Sequence, residues 1–246
     1  MKRIIAGGFE AGSVSVLAME LLSVNLGRAT ASEHTDHADG LTGIGKRPVD
    51  GPVEVRDPGP RGTGGSGLAG DEICELRHHG GTHQAVYAYA REDLDRWEAE
   101  LGRPLRNGEF GENFTTAGLD VNGARIGERW RVGDSLLLEV TSSRIPCRTF
   151  AGVLDERRWV KRFTAAAVPG AYLRVVEPGT VRAGDAIEVV HRPAHEVTVS
   201  VQFRAITLER DLLPGLLAAG AALHPDTRRT VQTYLAKTGR DGVNAR

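Results

Sequence analysis

Apolar residues at every second position mark the first candidate strand, over residues 14–24, where Val14, Val16 and Ala18 alternate with smaller or polar neighbours. The same period recurs at Val53-Glu54-Val55, around Tyr87 and Tyr89, and over 121–130, 132–141, 171–176 and 186–190. It is weak over 71–77, where Ile73 and Leu76 are the apolar members. At Tyr87 and Tyr89 the alternation predicts one buried face. Glycine-bearing turns fall between the runs, at Gly127, Gly133-Asp134, Glu177-Pro178-Gly179 and Ala183-Gly184-Asp185. Helical spacing is rarer. Leu94, Trp97 and Leu101 share one face of a helix over 91–101, which Gly102 ends. Residues 150–167 read as one or two helices, stopped by Pro169-Gly170. After Pro193 the pattern turns helical. Thr198 suits the cap of a helix running to Thr207, and further helices follow over 211–219 and 225–237, the last opening on Pro225. Short strands with glycine turns predict a mixed α/β, β-rich fold whose sheet curves toward a barrel, with a small C-terminal helical appendage. The predicted division is a loose extension at 1–13, a β-rich domain over 14–195, three helices over 196–240 and a tail at 241–246.

Composition narrows the function classes. The formal net charge of the 246 residues is -1, with no long basic run, so no phosphate track argues for a nucleic acid polymer. No apolar run approaches the roughly 18 residues of a membrane span. The start lacks the apolar core and small-residue cleavage site of a secretory signal, so the expected address is the cytoplasm. Two cysteines, Cys74 and Cys147, are too few for an iron–sulfur cluster or a structural zinc site. A structural disulfide is not expected in that compartment.

Several stretches carry candidate chemistry. Residues 32–40 hold Glu33, His34, Asp36, His37 and Asp39, which reads as a hydrated loop since no strand or helix frames it as a metal site. Lys46-Arg47 lies beside a rigid turn and could hold an anion, or could simply be solvated. Gly62, Gly64 and Gly67 match a dinucleotide fingerprint in letters only, because Pro58-Gly59-Pro60 stands where a strand is required. His78-His79-Gly80-Gly81-Thr82-His83-Gln84 packs three histidines around a sharp turn and predicts a pocket-lining loop rather than a metal site. In Gly111-Glu112-Asn113 a carboxylate and an amide stand beside a glycine, suited to hydrogen-bonding a heterocycle. Cys74, among charges, reads as a structural thiol. Cys147 follows a strand-like run on a turn stiffened by Pro146, with Arg144 and Arg148 nearby. Cations lower a thiol pKa, and a thiolate is a soft metal ligand. Three readings stay open for it: ligation of a cofactor-held redox metal, nucleophilic catalysis with His79 or His83 as base, and an inert buried thiol.

Five ordered blocks carry a resemblance: GIGKRPVDGPVEV, GDEICELRHHGGTHQAVYAYA, GEFGENFTTAGL, GDSLLLEVTSSRIPCRTF and GAYLRVVEPGTVRAGDAIEV. Together they resemble the MOSC domain, the module named for the C-terminal part of molybdenum-cofactor sulfurases. The likeness is to its stand-alone bacterial members with a three-α C-terminal domain. The resemblance implies a barrel of the pyruvate-kinase β-barrel class and a molybdenum–pterin cofactor whose metal is bound by the motif cysteine, here Cys147. It implies reduction of N-hydroxylated compounds such as hydroxylaminopurines, amidoximes or hydroxylamines. The electrons would come from a separate flavin or iron–sulfur reductase, with no flavin, iron–sulfur or NAD site in this chain. The family's alternative is a sulfur or cofactor carrier without turnover. In the sulfurases the domain accompanies a pyridoxal-phosphate desulfurase, for which this chain is too short. By position, Gly111-Glu112-Asn113 would hydrogen-bond the pterin or its phosphate, and Lys46, Arg144 and Arg148 would offset its charge. His79-Gly80-Gly81 and Tyr87 would line the pocket. Relatives carry an aspartate where His83 stands, so His83 is the expected stand-in for an acid/base role, as a group that titrates near neutrality.

Overall fold

The computed structural model describes residues 18–35 and 37–241. The extension at 1–13, Val14, Val16, Asp36 and residues 242–246 lie outside them. Strand β1 (Glu20–Leu26) is followed by two short pieces, β2 (Thr30–Ala31) and β3 (Leu41–Thr42), then β4 (Arg47–Pro48) and β5 (Val53–Val55). Next come a 3-10 turn at Thr82–Gln84, β6 (Val86–Ala90), helix α1 (Arg91–Leu101) and β7 (Phe114–Ala117). Strands β8 (Arg129–Val132) and β9 (Leu136–Ser143) lead to helices α2 (Arg148–Leu154) and α3 (Trp159–Ala166). The chain returns through β10 (Ala171–Glu177), β11 (Gly179–Val181) and β12 (Ile187–His191). It ends with α4 (Val199–Thr207), a 3-10 segment over Arg210–Ala222 and α5 (Pro225–Asp241).

Eight strands form one sheet in the order β12-β8-β9-β10-β6-β7-β1-β4. Its two sides meet again. Glu20 bridges Ala186, and the Leu21 amide donates to the Asp185 carbonyl at 2.9 Å while the Ile187 amide donates to the Met19 carbonyl at 2.8 Å. That junction joins β1 to the approach of β12 and closes the sheet into a barrel, which removes most exposed edge. Every pair in it is antiparallel except β6 with β7. A parallel pair needs a long crossover, and α1 supplies it. The mixed, β-rich fold with C-terminal helices is as the pattern predicts.

Helix α1 has the predicted bounds, with Gly102 at φ 69° as its left-handed stop. The Thr198 hydroxyl caps α4 by accepting the Val201 amide at 3.1 Å. Four expectations change. Among the described residues the first strand runs from Glu20 to Leu26, past the expected end at Val24, and the part of that expectation over 14–17 lies outside the described residues. Residues 121–128 do not extend, because Asp120 accepts the Gly123 amide in a tight turn and Gly127 sits at φ 90°. The 211–219 stretch is 3-10 rather than α-helical: Pro214 lies inside it and removes a backbone donor. Finally, β6 is buried on both faces. Val86, Ala88 and Ala90 belong to the main apolar cluster, whereas Tyr87 and Tyr89 enter a second, aromatic one with Trp97, Phe110, Phe150, Trp159 and Phe163. The helices α1 to α3 cover the face that alternation alone leaves to solvent.

Val199, Leu213, Leu216 and Val231 from the C-terminal helices pack in the same apolar cluster as the barrel strands. Their tie to the barrel includes Gln202, fully buried on α4, whose Oε1 accepts the Ser143 amide at 2.7 Å and whose Nε2 donates to Thr227 on α5 at 3.4 Å. No helix among the described residues is long and apolar enough to cross a membrane.

Candidate functional site

The end of β9 sets the position of the thiol. Ser143 is its last residue, and Arg144-Ile145-Pro146 carries the chain to Cys147, which caps α2. The Sγ accepts the Phe150 amide at 3.4 Å, using the cap position for a sulfur. His79 lies beside this thiol and favours its ionised form. Burial opposes ionisation of Cys147, yet His79, the Arg144 charge and the Phe150 amide outweigh it and bring its pKa down to about 6. In cofactor-free protein, the rate of Cys147 alkylation by iodoacetamide should therefore rise through pH 5 to 6 and level off above about 7, since only the thiolate reacts. Cys147→Ala identifies the signal, and His79→Ala should move the midpoint back toward that of an ordinary thiol.

The sulfur opens on a cavity of about 430 Å³, within the usual range for small-molecule sites. Lys46, His79, Gly80, Tyr87, Gly111, Asn113, Arg144, Cys147 and Arg148 all line it. Residues spread over more than a hundred positions of sequence thus meet at one wall. The fold accomplishes this in identifiable ways. Gly80 and Gly81 sit at φ 77° and 78°, and a Cβ on either would lie 2.5 Å from backbone atoms of the 59–67 stretch. That stretch is glycine-rich to let the His79 turn lie flat on it; the Gly81 amide donates to the Gly65 carbonyl at 3.0 Å.

Arg144 is buried. Its guanidinium lies 3.8 Å over the Phe150 ring and donates to the Phe110 carbonyl at 2.7 Å. It locks the Gly111 turn to α2 and leaves its charge beside the thiol. Lys46 is equally buried and pairs with Asp71. Burial lowers its pKa and the Asp71 carboxylate works against that. Asp71 in turn accepts the Gly27 amide at 2.7 Å and the Asn113 side-chain amide at 2.8 Å. Asn113 also accepts the Tyr87 amide at 3.2 Å. The Tyr87 hydroxyl donates to the Pro169 carbonyl at 2.8 Å, and burial drives its pKa far up, so it is held as a neutral donor.

Three of the expected contacts need correction. Gly81 does not line the cavity; it backs onto Arg61, with its amide on the Gly65 carbonyl. Glu112 does not face the cavity. Its fully buried carboxylate accepts the Gly108 amide at 2.5 Å, the Phe110 amide at 3.0 Å and the Thr115 hydroxyl at 2.9 Å. Burial pushes its pKa up and those donors resist the rise; the carboxylate holds its own turn in shape. His83 opens on a second cavity of about 290 Å³, with Arg61, His224 and Asp226. Its ring meets His224 edge-on at 4.8 Å. Burial, then the Arg174 charge, lowers its pKa. It is thus separated from the thiol and does not titrate as a free histidine.

The sequence reading missed other lining residues. Cys74, read as structural, lines the same cavity as Cys147, as do Arg77 and Ser143, while His78 and Gln84 line it as part of the expected pocket-lining loop. Gln84 Oε1 and Ser143 Oγ are buried without a hydrogen-bond partner. No sequence signal marks Ser143, a common polar residue in an ordinary run. Across the lining, Lys46, Arg77, Arg144 and Arg148 outnumber Glu72 and Glu75. Among the described residues no three His, Cys, Asp or Glu side chains could hold a metal together, and His34, Glu33, His37 and Asp39 form no such group. The residues suit a metal that arrives with most of its own ligands: one soft thiolate, a cationic surround and unpaired polar atoms.

A MOSC domain profile matches residues 75–188, a stretch that includes His79, Gly111 and Cys147. The uncharacterized protein YflK of Bacillus subtilis (strain 168) is 35% identical over 183 residues, covering 74% of this chain and 77% of that protein. A protein named Reductase from Gibberella moniliformis is 32% identical over 139 residues, 55% of this chain but only 24% of that protein. The crystal structure of YiiM from Geobacillus stearothermophilus superposes with a TM-score of 0.70 at 27% identity, over 88% of this chain and 99% of that one. By the profile match, the 35% identical relative covered over most of its length and the superposed YiiM structure, the chain belongs to the MOSC domain family and is YiiM-like.

Proposed function

We propose that the chain is an oxidoreductase that reduces N-hydroxylated compounds of the hydroxylaminopurine, amidoxime or hydroxylamine type, using a molybdenum cofactor bound through Cys147. The observation that carries this reading is the placement of the Cys147 sulfur on the wall of a cavity with a cationic surround, beside His79 and Arg144, which favour its thiolate form. A similarity to a protein named Reductase supports the oxidoreductase class.

The residues divide the work. Cys147 presents sulfur as a metal ligand, and its cap position fixes the direction of approach. Arg144 and Arg148 set a positive potential for an anionic pterin, while Lys46 is held by Asp71. The Asn113 amide, shared between Asp71 and the Tyr87 backbone, keeps the Gly111 turn against the cavity. His79 lies against the sulfur, where a ring nitrogen can hold a proton. A molybdenum–pterin group held there by Cys147, Arg144 and Arg148 would supply two-electron reduction of an N–O bond. The overall change is R–NH–OH + 2e⁻ + 2H⁺ → R–NH₂ + H₂O. The electrons come from a separate flavin or iron–sulfur reductase. Tyr87 is not the proton source, because its hydroxyl is bound to Pro169 and its pKa is far above neutrality.

A second reading has one observation in its favour. Two thiols, Cys74 and Cys147, line one cavity, which suits a sulfur carrier without turnover. Protein purified from a cofactor-competent host separates the two. The reductase reading expects molybdenum and pterin near one per chain, and reduction of hydroxylaminopurine by an artificial electron donor. A Cys147 persulfide in the mass spectrum, with no molybdenum, supports the carrier and sinks the reductase.

A further inference from the structure

Three tyrosines stand in or against the aromatic cluster behind the cavity, and two of them have their hydroxyls committed. Tyr87 donates to the Pro169 carbonyl at 2.8 Å, and Tyr89 donates to the Val168 carbonyl at 2.9 Å. Tyr172 is the third. It is half-buried and lines the cavity together with Cys147. Among the described residues no group hydrogen-bonds its hydroxyl. Nor is that hydroxyl one of the enclosed, unpaired side-chain atoms, which belong to Gln84, Thr116, Ser143, Trp159 and His195. A phenol that is neither paired nor enclosed is open to a small molecule. Its neighbours give its direction. The Tyr172 ring centroid lies 5.2 Å from that of Tyr87. Burial raises its pKa, and the charges of Arg144 and Cys147 act on the same hydroxyl. Both of those residues line the cavity, so the hydroxyl faces it on the side of the sulfur. The mounting is rigid. Tyr172 pairs with Tyr87 on β6 and with Ser142 on β9, and its carbonyl accepts the Thr141 hydroxyl at 3.0 Å. None of these ties uses the phenol oxygen.

We propose that Tyr172 is a catalytic residue whose hydroxyl donates a hydrogen bond to the oxygen of the substrate's N–O bond. The proposal rests on the proposed function and deepens it. A phenol titrates near pH 10, so at neutral pH it keeps its proton and acts as a neutral donor. When the N–O bond breaks, two electrons enter, the nitrogen and the oxygen each take up one proton, and the oxygen leaves as water. The oxygen gains negative charge on the way. A donor fixed beside it therefore binds the transition state more strongly than the substrate. Tyr172 does not give up its own proton, and His79 remains the group that holds one.

Tyr172→Phe removes the hydroxyl and keeps the ring. Its melting temperature should match wild type, since the lost hydroxyl has no partner. Its molybdenum content should also match. With reduced viologen as donor and hydroxylaminopurine as substrate, kcat should fall about 10–100-fold while KM stays within about threefold. A second readout needs no cofactor. In cofactor-free wild type, N-acetylimidazole should acetylate Tyr172 and leave Tyr87 and Tyr89 unmodified, as read by peptide mass. Acetylation that spares Tyr172, or an unchanged kcat in loaded Tyr172→Phe, overturns the proposal and leaves the proposed function standing. Loss of molybdenum from the variant assigns the hydroxyl to the cofactor and overturns the substrate role. Wild-type protein with neither molybdenum nor reductase activity removes the proposed function and this proposal with it.

Discussion

Cys147→Ala is expected to leave a folded protein with less than about a tenth of the wild-type molybdenum and with turnover reduced on the order of a hundredfold or more. The estimate is conservative. Removing even an outer-shell partner of a metal ligand costs roughly 10–100-fold in affinity or activity, and under the proposed function Cys147 is the ligand itself. Cys147→Ser is the more informative partner variant. Its oxygen can still accept the Phe150 amide, so the cap of α2 survives. A hydroxyl oxygen does not replace a soft thiolate. Serine should therefore match alanine in metal content while matching wild type in stability. Cys74→Ser serves as the control, because Cys74 lies in the same cavity but burial and the Glu72 charge raise its pKa. It should keep the metal. Metal analysis and thermal melting of the three variants check this together, and full molybdenum in Cys147→Ser would sink the ligand assignment.

Glu112→Ala is the second large effect, and it is one of stability. Alanine leaves the Gly108 amide, the Phe110 amide and the Thr115 hydroxyl without their acceptor in a fully buried place. Each unpaired buried donor costs about 1–3 kcal/mol, and relaxation of the turn recovers part of it, so a loss of about 3–5 kcal/mol is expected. With a urea slope of about 2 kcal/mol/M, the unfolding midpoint should drop by about 2 M. Glu109→Ala is the comparison. Glu109 is a half-buried neighbour paired with Arg103 and Arg106, and its loss should stay below about 1 kcal/mol. Equal midpoints for the two variants would show that Glu112 does not hold the turn. The change should also weaken ligand binding indirectly, since Gly111 and Asn113 line the cavity.

What the sequence made legible follows the range of the interactions involved. Helix α1 and the Thr198 cap depend on contacts within a few residues, and both are found where the spacing places them. The Cys147 turn, the Gly80-Gly81 corner and the Gly111 turn are also local. Their residue types were enough to select them, and the barrel brings them to one cavity. The partners of those residues were not legible. Lys46 meets Asp71 across 25 positions, and Asn113 reaches Asp71 across 42. Glu112 shows why residue type alone misleads: a carboxylate beside glycine can bind a ligand or its own backbone, and only the depth of burial decides. His83 failed for the same reason. Two residues of 3-10 turn beyond Gly81 carry it around the corner, so its ring meets His224 rather than the thiol. Closure of the sheet at Glu20 and Ala186 depends on a contact spanning most of the chain, which no periodicity reports.

The Gln202 amide has a consequence for how the molecule breathes. It joins the last peptide of β9 to α4, and through Thr227 to α5. The Ser143 amide proton can then exchange with solvent only when the terminal helices lift away, so its protection reports the free energy of that opening. A mutation on the outer helices that eases their departure would loosen the tether four residues upstream of the sulfur, freeing the thiol turn from a distance without altering any group that lines the cavity.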